Sequence, residues 1–187
     1  MTAERLPRGQ RWIEKPVVYD IGAVPPVDLE SFRLRISGAV QNALRLSWDE
    51  LLALPCARLS RDFHCVTAWS VRDLVWEGVR TPDLIARALP DPEAHWVLVR
   101  GLDGYTTNVP IEDFVRPDSL LAYRLNDAPL PLEHGYPLRL VVPALYAWKS
   151  AKYVTEIEFL THLRRGFWEE RGYHDRGDPW REERFRV

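Results

Sequence analysis

Two stretches of the chain hold residues whose types and spacing suit chemistry. The first is RDFHCVTAW, Arg61 to Trp69, where Cys65 sits between a histidine and a β-branched residue in a run that reads as a buried strand. The only other cysteine is Cys56, so any thiol chemistry at Cys65 has to proceed with one sulfur. Three uses compete. His64 and Cys65 adjoin, and His95, His134, His162 and His174 lie elsewhere, which supplies the ligand types of a zinc site. Adjacent strand residues point to opposite faces, however, and no second ligand pair occurs at short spacing. A thiol nucleophile would need a base such as His134 and an orienting carboxylate such as Asp103. A buried small hydrophobe needs neither.

The second stretch is EHGYPLRLVVPALYAWKSAKYVTEIEFL, which sets His134, Arg139, Lys149 and Lys152 around a strand and a proline-ended turn. A phosphate would find several donors there. An arginine offers a bidentate fork, lysines offer point charge, and the backbone near Ser150 and Ala151 offers N–H groups. Solvated surface cations are the plain reading of the same residues.

The elements that must position these groups are short. Pro25 and Pro26 separate an irregular lead-in from FRLRISG, whose Phe32, Leu34 and Ile36 alternate with Arg33, Arg35 and Ser37 and predict a half-buried strand ending at Gly38. In LRLSWDELLALP, Ser47 and Glu50 stand at capping-box spacing before a helical turn that Pro55 stops. RTPDLIARALPDP predicts a second helix with Thr81 as cap and Pro82 at the first position. HWVLVRG, LRLVVPA and KYVTEIEFL read as strands, the last with Tyr153, Thr155, Ile157 and Phe159 on one face. Fifteen prolines fall mostly between such pieces, which favours an α+β, mainly β domain with short helices over a doubly wound sheet. A single domain is expected over 1–187: a lead-in over 1–30, a core over 31–160 and a tail over 161–187. The tail's aromatics lack helical period and predict a packed arm with its rings buried and its charges outside, with a binding role as the lesser reading.

Composition narrows the classes further. A chain of 187 residues can bury roughly 70% of its unfolded surface without staples. The formal net charge of −2 gives no general pull toward nucleic acid or an anionic membrane. No apolar run approaches the ~20 residues of a membrane span, and MTAERLPRGQRW has neither an apolar h-region nor a twin arginine, so a reducing cytoplasm is expected. Phosphate-loop, dinucleotide, H-E-x-x-H and paired C-x-x-C motifs are absent from the sequence.

Cys65, HGYPLR (His134 to Arg139) and KSAK (Lys149 to Lys152) together resemble, in order and separation, the sulfite oxidase family of molybdopterin enzymes. The likeness runs from about PVVYDIG to EIEFL. In that family a strand-borne cysteine is the single protein ligand to molybdenum, and the other two motifs grip the pterin and its phosphate. The resemblance therefore implies the sulfite oxidase-type fold, Mo-molybdopterin as cofactor, and Cys65 as metal ligand and catalytic residue. VYDIG resembles the segment that closes over the pterin in the methionine-sulfoxide-reducing branch, which adds Tyr19 and Asp20, although that branch's asparagine is here Pro16. The cofactor-binding set it implies is Tyr19, Asp20, His64, Cys65, Thr67, His134, Arg139, Lys149, Ser150, Ala151 and Lys152. Molybdenum held by two dithiolene sulfurs is a soft centre that accepts a thiolate, so one cysteine suffices.

Departures bear on substrate. Animal and plant sulfite oxidases continue from the cysteine as C-A-G-N-R-R, whereas CVTAWS puts Trp69 where that run has an arginine. CVTAW is nearer the C-V-E-A-W of the sulfoxide-reducing branch, with Thr67 for the glutamate. The implied reaction is oxygen-atom transfer on a small S- or N-oxide, with Trp69 and Tyr105 as candidate walls and, since no C-x-x-C-H haem motif occurs, a separate electron donor or acceptor. Sulfite oxidation, a cysteine-nucleophile hydrolase and a non-catalytic binding module of the same fold stay open at this point.

Overall fold

The computed structural model describes residues 5–23 and 26–186; Pro25 and the first four residues of the opening segment lie outside them. Along the chain, β1 (Arg11–Trp12) is followed by β2 (Arg33–Gly38), β3 (Leu44–Ser47) and the short α1 (Trp48–Leu52). β4 (Cys56–His64) and β5 (Trp69–Arg80) form a long hairpin, and α2 (Thr81–Ala88), β6 (Trp96–Gly101) and β7 (Thr106–Pro110) come next. Then follow α3 (Ile111–Phe114), β8 (Leu120–Leu125), β9 (Ala128–Pro129), β10 (Arg139–Val141), β11 (Val154–Leu160) and α4 (Phe167–Glu170). Single 3-10 turns lie at Leu132–His134, Ala147–Lys149 and Pro179–Arg181. Strand makes up 37% and helix 17%, so the molecule is mainly β with short helices, as its many prolines predict.

Two sheets carry the structure. One runs β1-β5-β8-β10, with β4 pairing β5 and β9 pairing β8; the other runs β3-β2-β11-β6-β7. Leu34 and Ile36 on β2, Val97 and Val99 on β6 and Ile157 and Phe159 on β11 pack against Val79, Leu121 and Leu140 of the first sheet in a shared core. The opposite face of the first sheet covers a smaller cluster around Phe63, Trp69, Trp76 and Cys65. Cys65 thus belongs to a satellite core, where a group from outside can reach it without opening the main one.

Local expectations fared unevenly. The capping box forms: Ser47 N–H donates to Glu50 Oε2 at 2.8 Å, and Glu50 N–H donates to Ser47 Oγ at 3.2 Å. Thr81 does not cap α2. It is the first helical residue, Arg80 takes the cap position, and the Thr81 hydroxyl instead donates to the carbonyls of Phe114 and Ser119. On β11 the register shifts between Val154 and Glu156, so Val154 is buried and Thr155 only half-buried. The bulge breaks the period-2 pattern that had put Thr155 on the inner face.

Candidate functional site

Cys65 lies just past the end of β4, in the turn that joins it to β5, rather than inside a strand. Its N–H donates to Trp69 O at 2.8 Å, and its carbonyl accepts from Ala68 N at 3.1 Å. Val66, Thr67 and Ala68 make a three-residue hairpin loop whose last residue has φ +71°, the left-handed position this loop length requires. No glycine, asparagine or aspartate marks the loop, so the sequence hides it. The consequence is orientation: Cys65 is 6% exposed, and it borders a cleft of about 290 Å³. Cys56, at the far end of β4 and about 30 Å away at ~3.3 Å per residue, is a free exposed thiol.

The cleft gathers most of the residues that the sequence singled out. Tyr19, Asp20, Cys65, Thr67, His134 and Arg139 line it, as do Ser150, Ala151 and Lys152. Arg139 starts β10 and is 6% exposed, with its guanidinium carbon 5.4 Å from the Phe63 ring and 5.2 Å from that of Trp76. Its Nη1 donates to His134 O at 2.9 Å and its Nη2 to Ser150 O at 3.1 Å, while Nε has no partner. No carboxylate pairs with it among the described residues, and burial pulls its pKa down to about 10. Gly135 makes this arrangement possible: at φ +111° a Cβ there would lie 3.1 Å from Arg139 Cβ and 3.0 Å from Lys152 Cβ.

Lys152 pairs with Asp20 of the lead-in and donates to Glu133 O at 3.1 Å. The N–H of Ser150 is engaged by Ala147 O at 3.0 Å, whereas the N–H groups of Ala151 and Lys152 have no hydrogen-bond partner among the described residues. Burial, then the neighbouring Arg139, hold His134 below the usual histidine range, so it is neutral at physiological pH. Burial pushes the Cys65 thiol up, opposed by hydrogen bonding to Thr67, whose Oγ1 is 3.2 Å from Sγ.

Two expected residues do not line the cleft. His64 turns to the other face of the hairpin, with Nδ1 2.8 Å from Ser70 Oγ and its ring between Trp12 and Trp180 at 6.4 and 6.0 Å. Lys149 is fully buried: its Nζ donates to Glu169 Oε1 at 2.6 Å and to the carbonyls of Asn108 and Asp175, each at 2.7 Å. It anchors the tail instead. Other readings of Cys65 find no assembly. No group of three or more His, Cys, Asp or Glu side chains stands at metal-holding distance among the described residues. His134 makes no hydrogen bond to Cys65, and Asp103 accepts from Tyr105 N at 3.1 Å rather than orienting a base.

Sequence reasoning missed the tail's part in the site. Trp168 and Tyr173 line the cleft beside Tyr105, Trp69 and Trp148. Tyr173 stacks on Trp148 at 5.2 Å, and Trp148 on Tyr146 at 5.4 Å. The expected pattern of buried rings and outward charges also fails: Trp180 and Phe185 are 49% and 60% exposed, and Glu169 is fully buried. No local periodicity carries this, because Glu169 is held by Thr107, Trp148 and Lys149 from distant parts of the chain.

Residues 21–168 match the family model described as the oxidoreductase molybdopterin binding domain. The chain belongs to this family. Among curated relatives of the molybdopterin-binding chain, a Bacillus subtilis (strain 168) protein named uncharacterized oxidoreductase YuiH is 43% identical over 182 residues, 97% of this chain and 92% of the relative. The protein-methionine-sulfoxide reductase catalytic subunit MsrP of Xanthomonas campestris is 30% identical over 192 residues, covering 89% of this chain but 59% of that protein. The crystal structure of the sulfane dehydrogenase SoxCD from Paracoccus pantotrophus superposes with a TM-score of 0.67 at 24% identity, over 74% of this chain and 40% of the other, and shows the shared fold. The mitochondrial sulfite oxidase of Mus musculus is 29% identical over 180 residues, 80% of this chain and 33% of that protein; the molybdopterin-binding oxidoreductase is of sulfite oxidase-like type, and its cofactor is Mo-molybdopterin.

The residues present fit that group. A buried arginine without a carboxylate, two backbone N–H groups without partners and a lysine lie along one cleft, which suits an anion brought from outside. A single buried thiol at the cleft suits a metal whose other ligands arrive with the cofactor.

Proposed function

We propose that the protein transfers an oxygen atom from a small neutral S- or N-oxide, with electrons from a separate donor. Mo-molybdopterin supplies the two-electron redox centre and the oxygen-accepting metal. Cys65 would ligate that metal, while Arg139, Lys152 and the N–H groups of Ala151 and Lys152 hold the phosphate. Asp20, Tyr19 and His134 would meet the polar edges of the pterin. Tyr105 stays fixed by its hydroxyl, which donates to Trp148 O at 2.6 Å, so the aromatic wall keeps its shape and limits water.

The observation that carries the substrate reading is where the cations are. Arg139 and Lys152 are the cleft's only lysine or arginine side chains among the described residues, and both are assigned to the cofactor. Trp69, Tyr105, Trp168 and Tyr173 line the rest of the wall, and Arg184, a further cation close enough to act on Cys65, is not among the lining residues: its Nη1 donates to Val66 O and its guanidinium lies over the Tyr146 ring. A neutral oxide needs no further cation.

Protein made in a molybdopterin-competent host is expected to carry about one molybdenum per chain, lost in Cys65→Ala. Reduced viologen should then be oxidised by a panel of S- and N-oxides, with little turnover of sulfite with ferricyanide. Fast sulfite oxidation would overturn the substrate reading, and equal molybdenum in Cys65→Ala and parent would overturn the ligand. Ester or thioester hydrolysis through Cys65 without molybdenum would favour a thiol nucleophile.

A further inference from the structure

Two hydroxyls lead from solvent to the sulfur of Cys65. Thr67 Oγ1 is 3.2 Å from Cys65 Sγ, and Tyr19 Oη is 3.3 Å from Thr67 Oγ1. No other side chain hydrogen-bonds this sulfur among the described residues. Either atom of each pair could donate in the free protein, but metal ligation removes the ambiguity. A ligating thiol is deprotonated, so Sγ can only accept. For the 3.2 Å contact to hold as a hydrogen bond in the ligated state, Thr67 gives its one proton to Sγ, which leaves its oxygen to accept from the Tyr19 hydroxyl. The order of donors is fixed: Tyr19 to Thr67 to Cys65.

We propose that Thr67 is a positioning residue whose hydroxyl donates to the Cys65 thiolate and raises the reduction potential of the metal, with Tyr19 as the outer donor. This rests on the cofactor reading above. A hydrogen bond to a ligating sulfur withdraws charge from it, which weakens its donation to the metal and favours the reduced state. Successive hydroxyls polarise one another, so Tyr19 strengthens the inner bond. The hydroxyl has no competing role in packing, since Thr67 is exposed at the cleft and sits in the middle of the hairpin loop. Backbone N–H groups of Val66 and Thr67 also bear on the sulfur, and they persist when the side chain changes.

The test compares parent, Thr67→Val, Thr67→Ser and Tyr19→Phe, each loaded in a molybdopterin-competent host. Molybdenum per chain, the Mo(V) signal in a redox titration and the sulfur-to-metal charge-transfer band are read for all four. Thr67→Val keeps the branched shape and loses the donor, so its midpoint should move negative and its band to lower energy. Thr67→Ser should return both to parental values, and Tyr19→Phe should shift them the same way by less. Equal molybdenum with an unmoved midpoint in Thr67→Val overturns the proposal and leaves the cofactor reading intact. A shift in Thr67→Ser as large as that in Thr67→Val overturns it too, because shape rather than the hydroxyl would then be responsible. Should Thr67→Val fail to hold metal, an unmoved midpoint in Tyr19→Phe overturns it. Parent protein without molybdenum overturns the reading beneath it.

Discussion

Lys149 and Lys152 stand three residues apart in KSAK, yet the first side chain has no exposed surface and the second keeps 16% of its own. Lys149 closes the 3-10 turn Ala147–Lys149, and its three protons go to the Glu169 carboxylate and the Asp175 carbonyl of the tail and to the Asn108 carbonyl of β7. Lys152 follows beside Gly135 and faces the cleft, where it meets Asp20 of an exposed lead-in. The difference is one of commitment. A fully buried lysine whose three donors end on protein atoms is part of the scaffold, whereas one held by a partly exposed carboxylate and one carbonyl can exchange the carboxylate for a ligand's phosphate. The buried pair also works for the site at a distance, since Glu169 accepts from Trp148 Nε1 at 2.8 Å and so fixes a ring of the cleft wall.

Replacing each lysine separates the two roles. Lys149→Met leaves Glu169 charged, buried and short of its counter-ion, and is expected to lower stability by about 3–5 kcal/mol in denaturant unfolding. A loss below 1 kcal/mol would mean that the pair is not buried in solution. Arg139→Ala comes next. Each charged hydrogen bond lost to a phosphate costs about 1.5–3 kcal/mol, so cofactor retention after dialysis should fall roughly tenfold or more. Full retention would make Arg139 a structural cation like Lys149. Lys152→Met should change stability by only about 0–1 kcal/mol, because its ion pair is partly exposed. It should still lose cofactor in dialysis, the reverse of the Lys149→Met pattern.

That contrast also marks what was legible in the sequence. Alternation exposed β2, and the order of Cys65, HGYPLR and KSAK pointed to six residues of the cleft lining, Cys65, His134, Arg139, Ser150, Ala151 and Lys152, because those residues act through local spacing. Lys149 was misread because K-x-x-K on a loop carries no direction: a 3-10 turn aims one lysine inward, and the partner that holds it lies twenty residues on. Cys65 was assigned to a strand because its hairpin turns on Ala68 at positive φ, where a glycine or asparagine would have announced the turn. Trp168 and Tyr173 were assigned to a surface arm because their place at the cleft depends on long-range contacts. Asn108 Nδ2 to Asp175 O at 2.8 Å and Tyr146 N to Gly177 O at 2.8 Å are two of them.

The smallest expected effect tests which part of Asp175 serves the Lys149 end. Its carbonyl accepts from Lys149, while its carboxylate pairs with Arg165 at 2.7 and 2.9 Å on the exposed side. The hydrogen-bonded Arg165 guanidinium holds the Asp175 carboxyl below the usual carboxylate range, against a smaller effect of burial. A folded-state pKa below the unfolded one means that the unfolded chain binds more protons between the two values, so stability rises with pH across that window. The contribution is complete above the unfolded pKa of about 3.9 and is lost as pH falls through the folded value. Asp175→Asn keeps the carbonyl and removes the carboxylate. Its unfolding free energy should drop by no more than about 1 kcal/mol at pH 7, and it should fall less steeply than the parent below pH 4. A loss as large as that of Lys149→Met would mean that the carboxylate, not the carbonyl, anchors the tail at the buried lysine.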